Sequence, residues 1–124
     1  IAAVKERWPK EQLTVLFEPR SNTTATNVFQ TELGAAFTGA NEVWIGPIYR
    51  AERYADNVRL DRDRLVADIQ SHNAHAHHAD DVTAIVRHIR TDVAPHNIVL
   101  ILSNGAFGGI YDHIRAQFTT QEDA

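Results

Sequence analysis

The sequence contains no cysteine and no methionine, and acidic residues outnumber basic ones. The absence of cysteine excludes disulfides, thiolate metal sites and a cysteine nucleophile, and it fits a reducing compartment such as the cytoplasm, where we expect the protein to act. The net charge of −4 argues against nucleic acid as a partner, because nucleic-acid-binding proteins need a basic surface. No apolar run approaches the roughly 20 residues that cross a bilayer, so we expect no membrane partner.

The size of the chain predicts one domain. It has 124 residues, of which 44% are hydrophobic, which is enough to build a core. Because the sequence opens at Ile1 and contains no Met, we interpret residues 1–124 as one domain of a longer protein.

Four short apolar or alternating segments predict strands. They comprise residues 12–18, 42–49, 74–78 and 97–102. Pro47 predicts that the second of these strands ends near it, because proline cannot donate to the ladder. The last segment is the most apolar in the chain, which is typical of a central strand covered on both faces.

Apolar residues at helical spacing predict helices between these strands. The clearest runs from Asp81 to Val93 before Pro95, and a shorter one over Leu60–Ile69 begins near Asp61 as N-cap. The other predicted segments are a helix over 1–8, a helix over 28–37, a loop over 50–59, a helix that follows Gly109 and carries Ile110, Ile114 and Phe118, and a frayed end over 119–124. Alternating strands and helices predict an α/β layer fold with a mostly parallel sheet, whose ligands bind beyond the carboxyl ends of the strands.

The loop after the first strand carries Arg20, Ser21, Asn22 and Thr23. An arginine fork suits a carboxylate or phosphate, because it donates two parallel hydrogen bonds. The alternative is that Arg20 is a solvated loop residue and that the small polar residues only cap the next helix.

The loop after the last strand is rich in glycine and runs Ser103-Asn104-Gly105-Ala106-Phe107-Gly108-Gly109. Glycines let a ligand approach the backbone, and N–H groups at a helix start favour an anion. The loop is neither a P-loop nor a dinucleotide fingerprint. Its alternative is a tight turn that needs glycine only for its backbone angles.

The histidines at 72, 75, 77 and 78 suggest a metal site, since His75 and His77 would share one face of a strand. Zinc needs three or four ligands, and the spacing supplies no third one. The sequence therefore favours a weak polar strand, and we predict no metal site.

The two loops, together with segments 27–30 and 40–43, resemble the C-terminal domain of the Mur ligase family, closest to its peptidoglycan-recycling branch, the murein peptide ligases. The resemblance covers nearly the whole chain and implies a Rossmann-like three-layer domain. The family joins an amine to a muramoyl carboxylate that is activated as an acyl phosphate. The recycling branch attaches the tripeptide L-Ala-γ-D-Glu-meso-diaminopimelate to UDP-N-acetylmuramate.

The resemblance also implies roles for the two loops. Arg20 would grip a carboxylate of the incoming peptide, supported by Ser21, Asn22 and Thr23. The second loop would hold the peptide near the acyl phosphate, with Ser103, Asn104 and Phe107 contacting it or shaping its pocket; the loop glycines are Gly105, Gly108 and Gly109. ATP, Mg²⁺ and the UDP-sugar bind other domains of the family, so we expect no catalytic residue and no activity in this chain alone.

The sequence departs from the family pattern at Ala106, where the familiar motif has a second glycine, and it lacks the family's Ala-His-His-Pro segment near the hinge. Three alternatives stay open: the C-terminal domain of the UDP-N-acetylmuramate–L-alanine ligase, a stand-alone Rossmann-like anion-binding module, and a structural domain whose loops bind nothing.

Overall fold

Four parallel strands form one sheet in the computed structural model. The structure describes residues 1–21, 23–72, 74–92, 97–103, 105 and 107–114. The side chains of residues 2, 90–92 and 97 are not described. The strands are β1 (Gln12–Phe17), β2 (Glu42–Ile45), β3 (His75–His78) and β4 (Asn97–Leu102). Their order is β3-β2-β1-β4, and each neighbouring pair is parallel. This is the order of the first four strands of the Rossmann fold. The predicted Rossmann-like α/β fold is therefore confirmed.

The helices alternate with the strands as the sequence predicts. They are α1 (Ala2–Arg7), α2 (Gln30–Ala36), α3 (Arg62–Gln70) and α4 (Val82–Asp92). Asp61 is the N-cap of α3, because its side chain accepts a hydrogen bond from the Arg64 N–H. A 3₁₀ turn at Ala51–Arg53 lies within the predicted loop 50–59, and another at Phe107–Gly109 leads into helical residues 110–114. Val93, Pro95 and residues 115–124 lie outside the described residues.

The sheet is covered by helices on both faces. Alternate residues of β1 face opposite ways, so that Val15 packs in one core with side chains of α3, while Leu16 packs in the other with side chains of α4. Helix α2 lies on the α3 side, and Ile110 lies on the α4 side. The result is the three-layer arrangement that the alternating pattern predicts. No helix in the described part of the chain combines the length and the apolar character needed to cross a bilayer.

Two predictions about the apolar segments differ from the structure of the described residues. Within those residues β4 is an edge strand that pairs with β1 alone. Its apolar run reflects its two covered faces, with Leu100 in one core and Ile101 in the other. Val28 and Phe29 do not join the buried stripe of α2, because they precede the helix and are 64% and 46% exposed. Phe37, at the end of that helix, is buried as expected.

Strand β2 ends at Ile45, just before Pro47, near which the sequence predicts that this strand ends. Pro47 has no N–H to donate, and the chain turns away after Gly46. The Gly46 N–H still donates to the Phe17 carbonyl at 2.8 Å, and the Glu18 N–H donates to the Leu102 carbonyl at 3.0 Å. The ends of β2, β1 and β4 are therefore held side by side at one edge of the sheet.

Gln30 is a buried polar residue that joins the start of α2 to the start of α3. Its Nε2 donates to the Asp61 carbonyl at 3.0 Å, and its Oε1 accepts from the Asp61 N–H at 2.9 Å. We predict that Gln30→Met lowers the free energy of unfolding by about 1–3 kcal/mol, because two buried backbone groups lose their partner. Urea unfolding followed by circular dichroism measures the change.

Gln70→Met is the matched control for this prediction. Gln70 is exposed and donates one long hydrogen bond, 3.4 Å, to the Ala76 carbonyl. We expect a change within about 0.5 kcal/mol, as for most surface substitutions. Equal losses in the two variants would contradict the assignment of Gln30 as a buried clamp.

Candidate functional site

The two candidate loops meet at the point where the strand order reverses. The first follows β1 and the second follows β4, and β1 and β4 are neighbours that run in parallel from Gln12↔Asn97 to Phe17↔Leu102. In open α/β sheets ligands bind in the crevice outside the carboxyl ends of the strands at this position. The fold therefore brings together two loops that lie about 80 residues apart in the sequence.

The Arg20 guanidinium lies over an aromatic ring. Its guanidinium carbon lies 3.6 Å from the centroid of the Tyr49 ring, and Tyr49 in turn is fixed by its N–H, which donates to the Pro19 carbonyl at 3.0 Å. Such stacking uses the face of the guanidinium and leaves the N–H donors on its edge available. The Arg20 side chain remains 27% exposed. This geometry presents a rigid cation at the carboxyl end of β1.

Glu18 connects the two loops. Its carboxylate is only 5% exposed, and its Oε1 accepts a 2.6 Å hydrogen bond from the Ser103 hydroxyl. Ser103 also accepts from the Gly105 N–H at 3.0 Å, so the start of the second loop is fixed. Arg20 lies near the same oxygen, with its Nη1 3.7 Å from Oε1. That distance is an ion-pair contact without a hydrogen bond.

The small polar residues of the first loop form a closed turn. The hydroxyls of Ser21 and Thr24 lie 2.8 Å apart, and that of Thr23 lies 3.1 Å from Ser21. The N–H groups of Thr24 and Ala25 point back to the Ser21 carbonyl. Ser21 therefore shapes the turn that carries Arg20. Asn22 lies outside the described residues.

The glycines of the second loop serve two different purposes. Gly108 and Gly109 have φ of +57° and +77°, a conformation that residues with a side chain rarely adopt. Gly105 instead makes room for Arg20, because a Cβ there would lie 2.3 Å from the Arg20 guanidinium carbon. The loop is thus more than a tight turn, since one of its glycines accommodates the candidate ligand-binding residue. Asn104 and Ala106 lie outside the described residues.

Phe107 anchors the second loop to the core and offers no surface for a ligand to contact. Its side chain is 0% exposed and packs with Leu16 and Ile110. It also has a φ of +48°, which is unusual for a residue with a side chain. Of the two predicted roles, contact with the peptide or shaping of its pocket, this position supports the second.

The histidines of β3 have structural partners. His78 Nε2 lies 2.6 Å from the Asp63 carboxylate, and the His77 ring packs 4.7 Å from the Trp44 ring. In the part of the chain that the structure describes, no three His, Asp or Glu side chains are grouped to hold a metal ion.

Sequence reasoning did not single out Tyr49, Gly46 or Glu18 as site residues. A Cβ on Gly46 would lie 2.5 Å from the Phe107 ring, so Gly46 gives that ring its place. Tyr49 could have been found from its position just after β2, whose end lies at the same edge of the sheet as the two loops. Glu18 opens the first candidate loop, but nothing in the local pattern shows that its carboxylate is buried.

Comparison with solved structures identifies the same overall fold. The chain is 20% identical to the murein peptide ligase Mpl from Psychrobacter arcticus 273-4, with a TM-score of 0.75. It is 24% identical to a domain from Haemophilus ducreyi 35000HP assigned to a UDP-N-acetylmuramate:L-alanyl-γ-D-glutamyl-meso-diaminopimelate ligase, with a TM-score of 0.62. The predicted resemblance to the C-terminal domain of the Mur ligases is therefore confirmed for the fold.

The alignments cover 94% of this chain, 23% of the Psychrobacter protein and 76% of the Haemophilus domain. The chain thus spans about a quarter of the complete ligase. No family model matches the sequence, and no curated protein matches it significantly.

The contact between Gly46 and Phe107 gives a test of how the second loop is anchored. We predict that Gly46→Ala lowers the free energy of unfolding by about 1–3 kcal/mol, because the added methyl group overlaps a fully buried ring. Phe107→Leu in the same chain removes the overlap, so the double variant should be more stable than the sum of the single losses implies. Urea unfolding of the two single variants and the double variant measures this coupling. Simple additivity would show that the two residues do not contact each other.

Proposed function

We propose that this chain is the C-terminal, peptide-binding domain of a Mur-type ligase that joins UDP-N-acetylmuramate to recycled L-Ala-γ-D-Glu-meso-diaminopimelate. The observation that carries the proposal is the stacking of Arg20 on Tyr49 at the switch point of the sheet. Support comes from the fold, which the chain shares with a murein peptide ligase. Residues 1–124 then constitute one domain of a longer cytoplasmic enzyme.

Arg20 is the first contact that we assign to the peptide. The tripeptide carries several carboxylates, and a guanidinium stacked through its face can donate two parallel hydrogen bonds to one of them from its edge. The Tyr49 ring fixes the plane of that fork before the ligand arrives, which reduces the entropy cost of binding. The exposed loop residues Thr23 and Gly108 and the half-buried Ser103 and Gly109 complete the proposed peptide-facing surface.

The activation chemistry is assigned to the remainder of the protein. ATP and Mg²⁺ would supply the phosphorylation of the muramoyl carboxylate. This chain has no Gly-Lys-Ser/Thr loop, and its described residues do not group three metal-ligating side chains. The residues therefore do not fit these groups, and we assign this chain no catalytic residue. Its proposed task is to bind the incoming peptide.

The alternatives differ in their ligands. A domain of the UDP-N-acetylmuramate–L-alanine ligase would bind L-alanine in place of the tripeptide. A stand-alone anion-binding module would bind simple anions such as phosphate equally well in the absence of a peptide. Calorimetric titration of the chain with the tripeptide, L-alanine, phosphate and ATP separates these possibilities, and we expect heat of binding for the tripeptide only.

Substitution of Arg20 tests the proposed contact. We predict that Arg20→Ala weakens binding of the tripeptide by about 1.5–3 kcal/mol, which is the usual loss for a charge-assisted hydrogen bond. Arg7→Ala is the matched control, because Arg7 precedes β1 and so lies at the opposite edge of the sheet. Calorimetry measures both affinities. Equal affinities of the Arg20 variant and the unchanged chain would remove Arg20 from the site.

A further inference from the structure

A cavity of about 280 Å³ lies between the ends of β1 and β4. Its polar lining residues are Glu18, Ser21, Thr24 and Ser103. Its apolar lining is Phe17, Ile101 and Leu102. We call it the Glu18 cavity. Among the described residues its lining contains a carboxylate and no cationic side chain, so its chemistry is the opposite of that at Arg20.

The carboxylate of Glu18 has a hydrogen-bond partner on one side only. Both of its contacts, the Ser103 hydroxyl at 2.6 Å and the Arg20 Nη1 at 3.7 Å, are made by Oε1. Oε2 has no hydrogen-bond partner among the described residues. Unlike Glu11 Oε2 and Asp68 Oδ2, this oxygen is not fully buried, so a ligand can reach it. The geometry therefore leaves one acceptor available beside a cavity that is open to solvent on one side.

The cation that fits this space has an ammonium group on an alkyl chain. An ammonium donates three hydrogen bonds, which Glu18 and the hydroxyls of Ser21 and Thr24 can accept. The Ser103 hydroxyl already donates to Glu18 and accepts from the Gly105 N–H, so it is not counted among these acceptors. The adjacent apolar side chains suit methylene or methyl groups.

A larger cavity of about 410 Å³ beyond β2 and β3 is lined by four carboxylates that already have partners. Three lie beside basic side chains, Asp80 beside Arg62, Asp63 beside His78 and Asp56 beside Arg59, and the fourth, Asp61, caps α3.

We infer that the Glu18 cavity is a subsite for a primary alkylammonium group and that it acts together with Arg20 on a ligand carrying both an amine and a carboxylate. This inference rests on the proposed function and extends it, since the tripeptide has two free amines, one on alanine and one on diaminopimelate. In this arrangement the ligand carboxylate takes the edge of Arg20 and the ligand ammonium takes Oε2 of Glu18. Arg20 and Glu18, which are only 3.7 Å apart and make no hydrogen bond to each other, would then each gain a partner of opposite charge from the ligand.

A purely structural role for Glu18 makes a different prediction. If the carboxylate only positions Ser103 and Arg20, its loss weakens every ligand by the same factor. If it binds an ammonium, its loss weakens only ligands that carry the amine. The two roles are separated by the ratio of the effects on matched ligands, because damage to the loops cancels in that ratio.

The experiment is calorimetry on the chain with Glu18→Gln, which removes the charge but keeps the size. Three ligands are compared: the tripeptide, its form acetylated on the alanyl amine, and its form with 2-aminopimelate in place of diaminopimelate. We expect Glu18→Gln to weaken the tripeptide by about 10- to 100-fold, as for loss of a charge-assisted contact. For the analogue that lacks the bound amine, Glu18→Gln should weaken binding by less than about threefold. The analogue that behaves in this way therefore shows which of the two amines occupies the cavity.

Ser103→Ala is the matched control, because it removes the hydrogen bond to Glu18 and leaves the carboxylate. We expect it to weaken all three ligands by one common factor. An equal loss for all three ligands in Glu18→Gln overturns the inference and leaves the proposed function intact. The inference is also overturned if the unchanged chain binds both analogues as tightly as the tripeptide. This comparison does not depend on the folding of any variant.

If the unchanged chain does not bind the tripeptide, the proposed function fails, and the subsite is judged separately. Titration with n-propylammonium, followed through the amide NMR signals of Glu18 and Ser103, then decides. Saturable shifts that disappear in Glu18→Gln retain the subsite, and their absence in the unchanged chain overturns it.

Discussion

The candidate site depends on the parallel pairing of β1 with β4. This pairing places the reversal of strand order between the two strands and continues past their ends, where the Glu18 N–H donates to the Leu102 carbonyl. The Ser103 hydroxyl then joins the second loop to the Glu18 side chain. Without this pairing, Arg20 and Ser103 would belong to unrelated parts of the surface.

The charges at this edge of the sheet are fixed by packing more than by ion pairing. Arg20 is held by the Tyr49 ring and by the space that Gly105 leaves, while its contact with Glu18 is long. Glu18 is buried and held by a hydroxyl. A cation and an anion that are each positioned by neutral groups stay available for a ligand of complementary charge. This preorganisation suits a small zwitterionic peptide.

The sequence predicts the fold well, because its signals are local. Period-two and helical spacing locate all four strands and the helices, and Asp61 and Pro47 mark boundaries that the structure respects. The errors at Val28, Phe29 and β4 have a common origin: an apolar residue reveals that it can be buried, not which element buries it. Strand order is a long-range property, and no local pattern determines it.

The candidate site is predictable only in part, for the same reason. Arg20 and the glycine-rich loop can be recognised from the local composition of the sequence. The residues that contact them come from distant parts of the chain. Tyr49, which lies under Arg20, follows β2, and the burial of Glu18 requires the approach of Ser103, 85 residues later. The asymmetry of the Glu18 carboxylate is visible only once both loops are in place.

The most direct test of this account is a crystal structure of the chain with L-Ala-γ-D-Glu-meso-diaminopimelate bound. We expect a peptide carboxylate within hydrogen-bond distance of the edge of the Arg20 guanidinium, with that guanidinium still stacked on Tyr49. A tripeptide bound away from the ends of β1 and β4, with Arg20 untouched, would contradict it.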